Sequence, residues 1–90
     1  MKTVRIFISG TVQGVFFRAF VKEQAENLGV YGHVRNLDDG RVEVVAEGYE
    51  NDVNKLIEAC KKGPKHSRIT DFEIEKIPNQ GFTEFKILRF

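Results

Sequence analysis

Ninety residues lie in the lower part of the single-domain range, enough for one hydrophobic core and not for two, so a single domain over 1–90 is expected. With 41% hydrophobic and 30% charged residues the chain sits away from the composition of disordered segments. A formal charge of +1 argues against a general polyanion binder, which carries a strong excess of Lys and Arg on one surface, so any anion site must be local.

The N-terminus offers only the apolar run Ile6, Phe7, Ile8, too short for a signal-peptide core or a membrane span, and a cytoplasmic protein is expected. From Thr3 to Ser9 the pattern alternates, with Val4, Ile6 and Ile8 on one face, as in a half-buried strand. Phe17, Val21, Ala25 and Leu28 recur at helical spacing, and Gly29 follows where a left-handed cap would end a helix over 17–28. Val30–Asn36 and Arg41–Glu47 are β-prone runs joined by Leu37, Asp38, Asp39 and Gly40, and the Asp-Gly pair predicts a hairpin. Glu43 and Glu47 alternate with Val42, Val44 and Ala46, which places both carboxylates on a solvent face.

Val53, Leu56, Ile57 and Cys60 predict a second amphipathic helix over about 51–62, ended by Gly63 and Pro64. Phe72 and Ile74 alternate with acidic residues in a fourth strand, Pro78–Gly81 reads as a turn, and Thr83–Arg89 reads as a fifth strand, a hairpin partner near the end. The order βαββαβ predicts an α+β, ferredoxin-like sandwich, two helices on one face of a largely antiparallel sheet. Cys60 is the only cysteine, so no intrachain disulfide can form, and His33 and His66 are far apart with no Cys cluster, so no zinc site is expected.

The segment Gly10-Thr11-Val12-Gln13-Gly14-Val15-Phe16-Phe17-Arg18 lies between the first strand and the first helix. Backbone N–H groups converge at such a junction and the helix dipole adds partial positive charge, a natural seat for phosphate. Glycines there also serve the turn alone. Arg18 in the first helical turn opposes the dipole at a cost of roughly 0.3 to 1 kcal/mol, which an anion between guanidinium and amides would offset. An exposed Arg whose stem covers apolar surface fits the same residues. A nucleotide P-loop is excluded, because Phe16, Phe17 and Arg18 stand where Gly-Lys-Ser or Gly-Lys-Thr is needed. A phosphocysteine enzyme is excluded too, since Val12 stands six positions before the Arg. Ser9 and Thr11 have no sequence-local His or Asp to activate them.

The segment GTVQGVFFR, followed by GHVRNLDDGRVEVVAEG from Gly32 to Gly48, resembles the acylphosphatases over nearly the whole chain. The resemblance implies a phosphate-cradling loop containing Gly10, Gln13, Gly14, Val15, Phe16, Phe17 and Arg18, with Arg18 catalytic and Asn36 as the second catalytic residue. By itself Asn36 also reads as a turn residue ahead of the hairpin. His33 departs from the aromatic residue, often Trp, of many members, a change expected to alter packing beside the site. The implied activity is hydrolysis of an acyl phosphate to a carboxylate and inorganic phosphate, which also inhibits as product. No cofactor or metal is called for. The chain is expected to act as a monomer on a small molecule, with no nucleic-acid or membrane partner.

The chemistry suits so small a constellation. An acyl phosphate expels a carboxylate whose conjugate acid has a pKa of about 4, so no strong general acid is needed at neutral pH. Asp38 and Asp39 beside Gly40 read as hairpin chemistry. An RNA-binding sheet would need stacking aromatics on its central strands, where Phe7 is available on the first strand but 41–47 carries none. A copper or zinc carrier would need paired cysteines in the loop 10–18. A related domain serving only as a phosphate or carbamoyl-phosphate pocket within a larger system would keep the loop, and phosphate release from benzoyl phosphate separates that case.

Overall fold

A computed structural model describes residues 1–89. The elements are β1 (Lys2–Thr11), α1 (Phe17–Leu28), β2 (Tyr31–Asn36), β3 (Val42–Gly48), α2 (Glu50–Lys62), β4 (Arg68–Lys76) and β5 (Phe85–Leu88). They form one five-stranded sheet in the order β4-β1-β3-β2-β5 with both helices on one face, a ferredoxin-like α+β fold. β1 lies antiparallel to β3 and β4, and β2 antiparallel to β3. The alternation along β1 and β3 sends Val4, Ile6, Ile8, Val42, Val44 and Ala46 to the helix side. There they meet Phe17, Val21 and Ala25 of α1 and Val53, Leu56, Ile57 and Cys60 of α2.

The C-terminal strand departs from its sequence reading. β5 is no hairpin partner of β4: it pairs in parallel with β2 at the opposite edge, Gly32 facing Phe85 and Val34 facing Ile87. Residues 77–84 therefore cross from one edge of the sheet to the other, over the face that the helices leave open.

That strap overturns the solvent-face reading of Glu43 and Glu47, which are only 6% and 3% exposed. Glu47 accepts hydrogen bonds from the Thr3 hydroxyl (2.7 Å) and from the backbone N–H groups of Gln80, Gly81 and Phe82, pinning the strap to β3. Desolvation pushes its carboxyl up, but these donors outweigh that and leave the pKa below the ordinary value. Glu43 sits in a ladder across four strands: Arg35 on β2 at 2.8 Å, then Arg5 on β1 at 3.7 Å, which in turn reaches Glu75 on β4 at 3.0 Å. A strand with helices on one face and a strap and ion ladder on the other is buried along its whole length.

Candidate active site

β1 ends in a bulge at Ser9 and Gly10. Gly10 has φ 128°, and a Cβ there would collide with the carbonyl oxygen of Arg68 on β4, so the close approach of the two strands requires glycine. Beyond the bulge, Gly14 (φ 75°) and Phe16 (φ 59°) are left-handed while Val15 between them is not. Such alternation turns successive N–H groups toward one side and makes a concave anion seat. α1 starts at the next residue with no side-chain cap and no acidic residue in its first turn. α2 carries Glu50 and Asp52 in its first turn, the arrangement its dipole favours.

Asn36 ends β2 opposite Val42, where the β2–β3 hairpin begins. The hairpin is closed by the Leu37 N–H to the Arg41 carbonyl at 2.8 Å. Asp39 accepts from the Arg41 backbone N–H and side chain, which lowers its pKa, so the Asp-Gly pair works in the turn. Gln13 joins loop and hairpin: its side-chain amide donates to the Leu37 and Arg41 carbonyls, both at 2.9 Å. The pairing β1-β3-β2 brings the loop after β1 beside the end of β2, and Gln13 fixes that proximity.

Arg18 and Asn36 thereby line one cavity of about 380 Å³, together with Val12, Gly14, Phe16, Phe17, Ala19, Ile87 and Arg89. An adjoining cavity of about 430 Å³ shares Arg18, Asn36 and Arg89 and adds Gln13, Leu37, Asp38 and Leu88. Gly10 and Val15 line neither cavity; one shapes the bulge and the other packs against the core. Arg18 donates to the Leu88 carbonyl at 3.5 Å, a long bond that a phosphoryl oxygen can replace. Asn36 Oδ1 is shielded and has no hydrogen-bond partner among the described residues, an uncommon state for a buried polar atom. A half-turn of the amide exchanges oxygen and nitrogen within the same shape, so either can be offered to a ligand.

One residue falls elsewhere than the sequence implied. His33 is not beside this site. It projects from the opposite face of the sheet and meets the Phe82 ring edge-on, centroids 5.6 Å apart. Burial, together with Arg35 and Arg5 and against Glu43, lowers its pKa. Phe7, the one aromatic that could have served RNA stacking, lies under the Arg41 guanidinium at 4.7 Å. Cys60 is buried in the core, its thiol pushed up to about 12 by desolvation. Ile87 and Arg89 were missed as cavity residues, because only the parallel pairing of β5 brings them there. Among the described residues no group of three His, Cys, Asp or Glu is placed to hold a metal ion, and no helix is long and apolar enough to cross a membrane.

The acylphosphatase family model matches residues 4–87. The acylphosphatase of Rubrobacter xylanophilus is 52% identical over 80 residues, covering 89% of this chain and 73% of that protein. That of Methylococcus capsulatus is 46% identical over 90 residues, 99% of this chain and 98% of its own. The crystal structure of acylphosphatase from Bacillus subtilis has a TM-score of 0.95 at 42% identity, covering 98% of this chain and 99% of that one.

Proposed function

The chain belongs to the acylphosphatase family of hydrolases, and from that premise we propose that it cleaves acyl phosphates without a metal, Arg18 holding the phosphoryl group and Asn36 aiming the attacking water. The observation that carries this reading is the meeting, in one cavity, of the uncapped α1 N-terminus, the Arg18 guanidinium and the Asn36 amide. The amides of the 10–18 loop and the planar guanidinium surround the equatorial oxygens, where charge is spread in the transition state. Asn36 accepts from water through its oxygen and donates through its nitrogen, which turns one water lone pair toward phosphorus in line with the scissile P–O bond. The carboxylate leaves as an anion, and inorganic phosphate remains in the loop. Positioning and fixed charge supply the acceleration, with no covalent intermediate.

Phosphate release from benzoyl phosphate, measured with and without a chelator and after thiol blockade, tests the proposal. Activity is expected to survive both treatments, with inorganic phosphate a competitive inhibitor. Loss on chelation restored by added metal, or purely noncompetitive inhibition by phosphate, overturns it.

A further inference from the structure

Phe16 is out of place on ordinary grounds. It is 85% exposed, the most exposed of the large apolar side chains among the described residues, although an aromatic ring is usually covered. Its backbone is left-handed (φ 59°, ψ 26°), a region where a bulky residue is an outlier. Strain of this kind persists where the surroundings hold it, and it clusters at ligand clamps and active sites. Here the surroundings are the loop that turns into α1, and they hold the ring at the rim of the 380 Å³ cavity.

The cavity is larger than the phosphoryl group needs. Allowing each of the five heavy atoms of a phosphate one water's share of volume, about 30 Å³, fills roughly 150 Å³. Among the described residues, the polar side chains of the lining are Arg18, Asn36 and Arg89; beside Gly14, the other side chains are apolar: Val12, Phe16, Phe17, Ala19 and Ile87. Val12 and Phe17 are buried in the core and Ile87 packs against it, which leaves Phe16, among the described residues, as the large apolar surface still open to a ligand. In-line attack sends the leaving carboxylate away from the water held by Asn36, so the acyl group lies on the side of the phosphoryl group opposite Asn36.

We infer that Phe16 is the contact for the acyl end of the substrate, and that the protein favours acyl phosphates with an aromatic or bulky apolar acyl group over acetyl phosphate. The inference rests on the reading of the cavity as an acyl phosphate site. Covering the exposed ring with the acyl group removes apolar surface from water, and an aromatic acyl group adds ring–ring contact.

The test is the ratio of kcat/KM for benzoyl phosphate to that for acetyl phosphate, compared within the wild type, Phe16→Asn and Phe16→Leu. Asn tolerates the left-handed backbone, so the loop is kept while the ring is removed. Any change in the hold on phosphate enters numerator and denominator alike and cancels in the ratio. The ratio is expected to exceed one in the wild type, to fall about tenfold in Phe16→Asn, and to take an intermediate value in Phe16→Leu, in line with the discrimination that one apolar contact gives. An unchanged ratio in Phe16→Asn, or a wild type that does not distinguish the two substrates, overturns the acyl contact while leaving acyl phosphate hydrolysis intact. Failure of the wild type to cleave either substrate overturns both.

Discussion

The shielded Asn36 oxygen bears directly on what that residue is for. Turn formation does not use the side chain: the hairpin is closed by Leu37, Asp39 and Arg41, while the Asn36 amide faces the cavity. Asn36→Ala is therefore expected to lower kcat about a hundredfold, roughly 2.7 kcal/mol of transition-state stabilisation, while phosphate affinity and thermal stability stay close to native. Unchanged kcat with a lower Tm would return the residue to a structural role. Arg18→Lys is expected to lose both phosphate affinity and kcat, because a point charge cannot hold two oxygens in the guanidinium geometry. Near-native kcat/KM in that variant would make Arg18 structural. The two residues were not equally legible in the sequence. Arg18 stands out in the sequence as a cation at the wrong end of a helix, whereas Asn36 by itself reads as hairpin chemistry and only the motif resemblance marks it. Its proximity to the loop arises from strand order, which no local pattern encodes.

At the scale of elements, the site depends on two devices that hold a loop against a hairpin. One is the Gly10 bulge, which fixes where β1 leaves β4. The other is Gln13, whose single amide bridges both ends of the hairpin. Gln13→Leu leaves the Leu37 and Arg41 carbonyls without that donor and is expected to cost about 1–3 kcal/mol of stability. kcat is expected to fall more than phosphate affinity, because the loop keeps its own amides while the distance to Asn36 loosens. Equal loss in both would mean that Gln13 shapes the phosphate seat itself. Chemical denaturation and phosphate titration on the same variant separate the cases. The same scale explains the misread strand. The helices, the hairpin and the first four strands carry local signals such as apolar periods, Gly29 and Asp-Gly, and the structure forms them with small shifts of boundary. β5 carries an ordinary strand pattern too, but a pattern says nothing about which edge it joins, and the turn residues at 78–81 suit a strap as well as a hairpin.

Across the whole molecule, the open face of the sheet is closed by polar groups, and this makes stability depend on pH. His33 and Glu47 both lie on that face, in contact with the strap at Phe82 and at Gln80, Gly81 and Phe82. Both have folded-state pKa values below the ordinary ones, 6.5 for His33 and 4.5 for Glu47. A depressed folded pKa means that the unfolded chain binds the proton more readily, so the associated stability is complete above the ordinary value and is lost as pH falls through the folded one. Acidification should lower Tm in two stages, one beginning below pH 6.5 from His33 and one beginning below pH 4.5 from Glu47. In the second, protonation leaves three backbone N–H groups facing a neutral acid. Glu47→Gln is expected to cost about 2 kcal/mol at neutral pH and to reduce the lower stage. In a domain of this size that corresponds to a fall in Tm of roughly 10 °C. His33→Gln should flatten only the upper stage. Thermal melts of the three proteins between pH 8 and pH 3 decide the matter. A Tm that rises on acidification through the upper window, or a Glu47→Gln variant with native Tm at pH 7, would contradict the view that the strap is held to the sheet through these two residues.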